Sequence, residues 1–128
     1  MPAGPRFERL DDWLDWQQQL HPATIELGLG RVSRVLARTG WVAPAAPVVT
    51  VGGTNGKGSC VALLDAMLGA GGRRVATFTS PHLLDYRERI RIGGQCVAAA
   101  SLVVVFERIA DALIAQERGA NTTPAAAN

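Results

Sequence analysis

Three observations predict an α/β fold with a parallel sheet. A short β-branched run, Val48-Val49-Thr50-Val51, leads straight into glycines, helical periodicity follows from Ser59 to about Leu68, and a second strand candidate spans Arg74 to Thr79. Strand, glycine loop, helix and strand within about thirty residues make a βαβ unit. Its crossover is right-handed, so the two strands are expected to be parallel.

The elements before this unit are helical. Residues 7–20 place Phe7, Leu10, Trp13 and Leu14 near one stripe with acids opposite, and His21-Pro22 ends the run. A second helix is predicted from Leu27 to Arg38, where Leu29, Val32, Val35 and Leu36 recur at three- and four-residue steps before Thr39-Gly40. The Ala- and Pro-rich stretch from Trp41 to Pro47 is a connector. Val48 to Val51 is continuously apolar, as in a strand buried on both faces. Gly69, Gly71 and Gly72 stop the helix that follows the glycine loop.

Beyond Ser80-Pro81-His82, Gly93-Gly94 separates the alternating run Glu88–Ile92 from Gln95-Cys96-Val97, the pattern of a β-hairpin. Arg87, Arg89 and Arg91 are then expected on one strand face, free to meet an anionic substrate or to guard a solvated edge. Ser101 is expected to cap a last helix through about Glu117, with Leu102, Val105, Phe106, Ile109 and Leu113 on its apolar face. Gly119 ends it, and residues 119–128, GANTTPAAAN, carry no apolar period and read as disordered. Trp13, Trp16 and Trp41 are expected in a core or interface.

Composition narrows the function. With 128 residues, 48% hydrophobic and 19% charged, the chain reads as one globular domain. No apolar run approaches the roughly 20 residues of a membrane span, and no secretory core follows the N-terminus, so the expected compartment is the cytoplasm, without a membrane partner. A net charge of +2, with arginines scattered among acids, is not a nucleic-acid footprint. Cys60 and Cys96 show neither metal nor disulfide spacing and are read as inert thiols. Of the 13 basic residues only Lys57 is lysine, which marks a position where a compact ammonium is required.

The segment Gly52-Gly53-Thr54-Asn55-Gly56-Lys57-Gly58-Ser59 lies between strand and helix, where successive backbone N–H groups and a helix N-terminus form an anion-binding concavity. Lysine reaches a terminal phosphate, and a hydroxyl at the helix start holds Mg²⁺ or a phosphate oxygen. The match to GxxxxGK[ST] is a variant, since Val51 replaces the first glycine and Gly58 the hydroxyl residue. Glycines after a strand also make plain tight turns, but the lone lysine and the βαβ context favour a nucleotide phosphate. Ser80, directly after the second strand, emerges on the carboxyl edge where ligands of parallel sheets collect, and Pro81 biases its backbone to an extended form. His82 in the same loop is the weaker candidate.

Together the segments Val51–Ser59, Thr79-Ser80-Pro81-His82-Leu83 and Tyr86-Arg87-Glu88-Arg89-Ile90 resemble the N-terminal part of the bifunctional dihydrofolate synthase/folylpolyglutamate synthases of the Mur ligase superfamily. Thr24-Ile25-Glu26-Leu27-Gly28-Leu29 is similar to their N-terminal substrate-site sequence, with Glu26 where Asp is usual. The resemblance covers residues 7 to 118. It implies a partial P-loop, three-layer fold like the Mur ligase central domain, with a parallel sheet, N-terminal helices and a β-hairpin. Residues 1–118 are then the N-terminal part of that ATP-binding domain, residues 119–128 an aberrant tail, and the C-terminal domain is absent.

The implied activity is an ATP- and Mg²⁺-dependent amide ligase acting as a monomer. It joins L-glutamate to dihydropteroate or to the tail of a reduced folate through an acyl phosphate. Gly53, Thr54, Asn55, Gly56, Lys57, Gly58 and Ser59 are implied to hold the nucleotide, with Lys57 catalytic. Ser80 and Ser59 are implied to hold the metal, and Thr24, Ile25, Glu26, His82 and Arg89 the substrate. The isolated chain is expected to be incomplete for catalysis. The alternatives are a stand-alone ATP-binding module and an inactive fragment.

Overall fold

The computed structural model describes residues 4–19 and 28–120, which group into two compact units, the described residues up to 43 with those from 100 onward, and residues 44–99. The elements are α1 (Leu10–Gln19), α2 (Gly30–Arg38), α3 (Lys57–Ala70), β1 (Ala76–Phe78), a 3₁₀ turn (Tyr86–Arg89), β2 (Ile90–Ile92), β3 (Gln95–Cys96) and α4 (Ala99–Ala120). None of these helices is long and apolar enough to cross a membrane.

The helical unit is built around Trp13, which is fully buried. Phe7 and Trp16 meet its ring edge-on at 5.1 and 5.6 Å, and Phe106 of α4 packs at 6.1 Å. A buried indole needs a partner for its N–H, and Nε1 donates to the Phe7 carbonyl at 2.9 Å. Leu102, Ala110 and Ala112 of α4 complete the core. Gly4 sits against α4 so closely that a Cβ would lie 3.1 Å from the Ile114 side chain, and its N–H donates to Asp111 at 3.1 Å. Arg6 grips the same carboxylate with two bonds of 3.0 and 2.9 Å. Trp41 lies outside this core: it is 55% exposed and lines an apolar cavity of about 740 Å³ together with Trp16, Val32, Val35 and Ile109.

The second unit holds a three-stranded antiparallel sheet in the order β1-β2-β3. Ala76 faces Ile92, Thr77 faces Arg91 and Phe78 faces Ile90, while Ile92 pairs with Gln95 across the expected hairpin. Gly93 and Gly94 form its two-residue loop with φ of 58° and 78°, the positive values that a type I′ turn demands.

The parallel pair and the three-layer arrangement are not shown. Residues 48–51 join no ladder, and β1 finds its partner in β2 instead. Consecutive strands are sheet neighbours only about two-thirds of the time. A run apolar on both faces also needs flanking elements to bury it, whereas Val48 and Val49 stay 74% and 71% exposed. The strand expected from Glu88 starts only at Ile90, because Asp85 and Glu88 cap a 3₁₀ turn over 86–89. Arg87, Arg89 and Arg91 therefore do not share a strand face; only Arg91 is in β2. Several helix ends shift as well. α3 begins at Lys57 rather than Ser59, and α4 begins at Ala99, which leaves Ser101 inside the first turn, and runs to Ala120 past Gly119.

Candidate functional site

The glycine loop turns into α3 through Gly56, the residue before the helix, whose backbone is left-handed with φ 76° and ψ 0°. A side chain there is strained by steric contact with the following carbonyl, so glycine is the residue of choice. Gly53 also has positive φ, 149°. No side chain caps α3, so the helix N–H groups that lack intrahelical acceptors remain open to a ligand. A Cβ built on Gly52, Gly56 or Gly58 meets nothing within 4 Å, so the space beside the loop is open. The Lys57 ammonium folds back over it, donating to the carbonyl oxygens of Gly53 at 2.7 Å and Thr54 at 3.1 Å. Thr54, Asn55, Gly58 and Ser59 are exposed along the same segment.

Ser80 follows β1 and is exposed, and its bond to Pro81 is cis. No hydrogen bond among the described residues joins Ser80 to Ser59 or Lys57. The structure does bring His82 and Arg89 together: Arg89 Nε donates to His82 Nδ1 at 2.8 Å. The Arg89 guanidinium also lies over the Tyr86 ring, 5.1 Å from its centroid, and His82 meets that ring edge-on at 5.8 Å. Thr24, Ile25 and Glu26 lie outside the described residues.

Two acids that the sequence pattern assigned no role hold this loop. Glu88 accepts from the N–H groups of Leu83, Leu84 and Asp85 at 2.8, 3.1 and 2.9 Å. These bonds, the one from Leu83 foremost, hold its carboxyl below the usual range. Asp85 accepts from the Arg87 N–H at 2.8 Å and forms a forked pair with the Arg87 guanidinium, the Nη2 contact being 2.6 Å. The Arg87 side chain and then its N–H pull the Asp85 carboxyl down to about 2. The signal was present in the sequence, since Asp85-Tyr86-Arg87-Glu88 has the spacing of a capping box. No group of three or more His, Cys, Asp or Glu among the described residues is placed to hold a metal.

No protein-family profile matches the chain. Among curated proteins, the dihydrofolate synthase/folylpolyglutamate synthase of Escherichia coli is 45% identical over 103 residues, 80% of this chain and 24% of its own length. The Haemophilus influenzae and Bacillus subtilis proteins of the same name are 44% and 43% identical, over 67% and 69% of this chain and 20% of each of theirs. Among solved structures, Escherichia coli FolC in complex with DHPP and ADP superposes with a TM-score of 0.79 at 43% identity, covering 85% of this chain and 27% of that one. A bifunctional folylpolyglutamate synthase/dihydrofolate synthase with Mn, AMPPNP and L-glutamate bound gives 0.78 at 41%, covering 87% of this chain and 27% of its own. By sequence and by fold the chain is similar to part of the dihydrofolate synthase/folylpolyglutamate synthases, and it spans about a quarter of the length of the relatives it matches.

Proposed function

We propose that the chain supplies the phosphate-binding part of an ATP-dependent ligase of folate metabolism, one that adds L-glutamate to dihydropteroate or to the tail of a reduced folate. The observation that carries this reading is the glycine loop closing on the uncapped N-terminus of α3, with left-handed Gly56 followed at once by the only lysine. Backbone N–H groups of Gly53 to Ser59 would cradle the triphosphate, and Lys57 would leave its two carbonyls to neutralise charge developing on the transferred phosphoryl group. In such a ligase the substrate carboxylate attacks the γ-phosphorus, ADP leaving as its bond to that phosphorus breaks, and the glutamate amine then attacks the acyl carbon, releasing inorganic phosphate and a proton as the amide forms. Thr24, Ile25, Glu26, His82 and Arg89 are assigned to the substrate.

The donor set fits a Mg²⁺ ion that draws only part of its coordination from the protein. Ser59 and Ser80 offer neutral hydroxyls, which suits an ion that keeps waters and phosphate oxygens as its other ligands. When bound, the ion neutralises phosphate charge. Residues 48–51 are read as one strand of a parallel sheet completed by parts of the family fold beyond the quarter spanned here, and residues 1–118 as part of the ATP-binding domain. The assembled enzyme is read as a cytoplasmic monomer without nucleic-acid or membrane partners.

A second reading rests on burial. No described residue between 44 and 99 is buried, which favours an inactive fragment whose loop lacks the core that would hold it. The test is the amide spectrum of the ¹⁵N-labelled chain. MgATP should shift Gly53, Gly56, Lys57 and Gly58 selectively, and an unchanged loop would refute the nucleotide reading.

A further inference from the structure

We infer that Arg89 is a positioning residue whose task is to hold His82 in one tautomer, so that His82 presents an N–H donor at Nε2 to an oxyanion. The inference rests on the proposed ligase for the identity of that anion, and on geometry for everything else.

A neutral imidazole carries one proton, and the nitrogen that accepts a hydrogen bond cannot hold it. Arg89 Nε is always a donor, and it lies 2.8 Å from His82 Nδ1. Nδ1 is therefore the acceptor and the proton resides on Nε2. The Tyr86 ring fixes both partners, carrying the guanidinium on its face at 5.1 Å and the imidazole at its edge at 5.8 Å. Glu88 fixes the backbone that bears His82 by binding the next three N–H groups, those of Leu83, Leu84 and Asp85. Asp85, the other carboxylate of this loop, is taken up by Arg87. Neither acid bonds to the imidazole, so Nε2–H has no acceptor among the described residues and the half-exposed ring can offer it outward. The loop follows β1 and Ser80, where the proposed ligase handles phosphate and carboxylate. The donor chemistry suits either anion. Arg89 thus serves the site through His82.

The test is long-range ¹H–¹⁵N correlation of the imidazole in the full ¹⁵N-labelled chain. Wild type should show a single His82 tautomer, protonated at Nε2, and a slowly exchanging Arg89 Hε. In Arg89→Met the His82 nitrogens should move to the values of a peptide spanning residues 79–86. Arg89→Lys, whose ammonium still donates, should keep most of the wild-type signature. Protected Leu83, Leu84 and Asp85 amides would show that the loop remains folded. A proton on Nδ1 in wild type, or unchanged nitrogen shifts in Arg89→Met, would overturn the inference.

Inorganic phosphate and L-glutamate, added separately, distinguish the anions by which one moves Nε2–H. If neither does while MgATP still shifts the Gly53 and Gly56 amides, the donor role falls and the nucleotide reading stands. If the tautomer is intact in a chain indifferent to MgATP, the positioning role of Arg89 stands and the nucleotide reading falls.

Discussion

The Lys57 ammonium rests 2.7 Å from the carbonyl oxygen of Gly53, three residues ahead of the left-handed Gly56 that precedes α3. The glycine loop is thus tied to itself by the one cationic side chain of residues 52–59. Lys57→Arg should fail as lysine's substitute, because a planar fork cannot occupy the space of a compact ammonium between two carbonyls of one tight turn. MgATP affinity at least ten-fold weaker in Lys57→Arg, by fluorescence titration, is the expected outcome.

Gly56 and Gly58 separate backbone strain from space. Gly56→Ala places a Cβ on a backbone at φ 76° and should cost about 1–2 kcal/mol. Gly58 lies inside α3 without positive φ and with open space around it, so Gly58→Ala should stabilise the helix by about 1 kcal/mol. Urea denaturation followed by far-UV circular dichroism compares the two, and equal effects would contradict the assigned backbone.

The 80–89 loop should loosen in acid. Asp85 is lowered to about 2 from an ordinary value near 3.8, and Glu88 is lowered from its ordinary 4.5. Groups depressed in the folded state contribute stability above their unfolded values and lose it as pH falls through the folded ones. Protection of the Leu83, Leu84 and Asp85 amides should therefore be full above about pH 5 and decline towards pH 2. Glu88→Gln should show the loss already at pH 7.

In the helical unit, Trp13→Ala removes a fully buried ring and the donor to the Phe7 carbonyl. A loss of about 3–5 kcal/mol is expected, enough to abolish the near-ultraviolet dichroism of the chain at 25 °C.

Much of the fold was legible where the signal is local. The hairpin was carried by Gly93-Gly94, the helices by their apolar periods, and the turn into α3 by glycines between an apolar run and a helix. Legibility ended where partners decide the outcome. Val48 to Val51 has the composition of a buried strand, but strand pairing depends on neighbours that the described residues do not provide. The run Glu88–Ile92 has the alternation of a strand, while capping by Asp85 and Glu88 winds residues 86–89 into a 3₁₀ turn. The contact between Arg89 and His82 spans seven positions in a turn and leaves no periodic trace.

The most direct measurement of the phosphate-cradle assignment is isothermal titration calorimetry of MgATP into the wild-type chain and into Lys57→Ala. Saturable binding to wild type and none to the variant is predicted, with the dichroism spectrum of the two chains unchanged. Equal affinity for both chains would contradict the assignment of the glycine loop as a phosphate cradle.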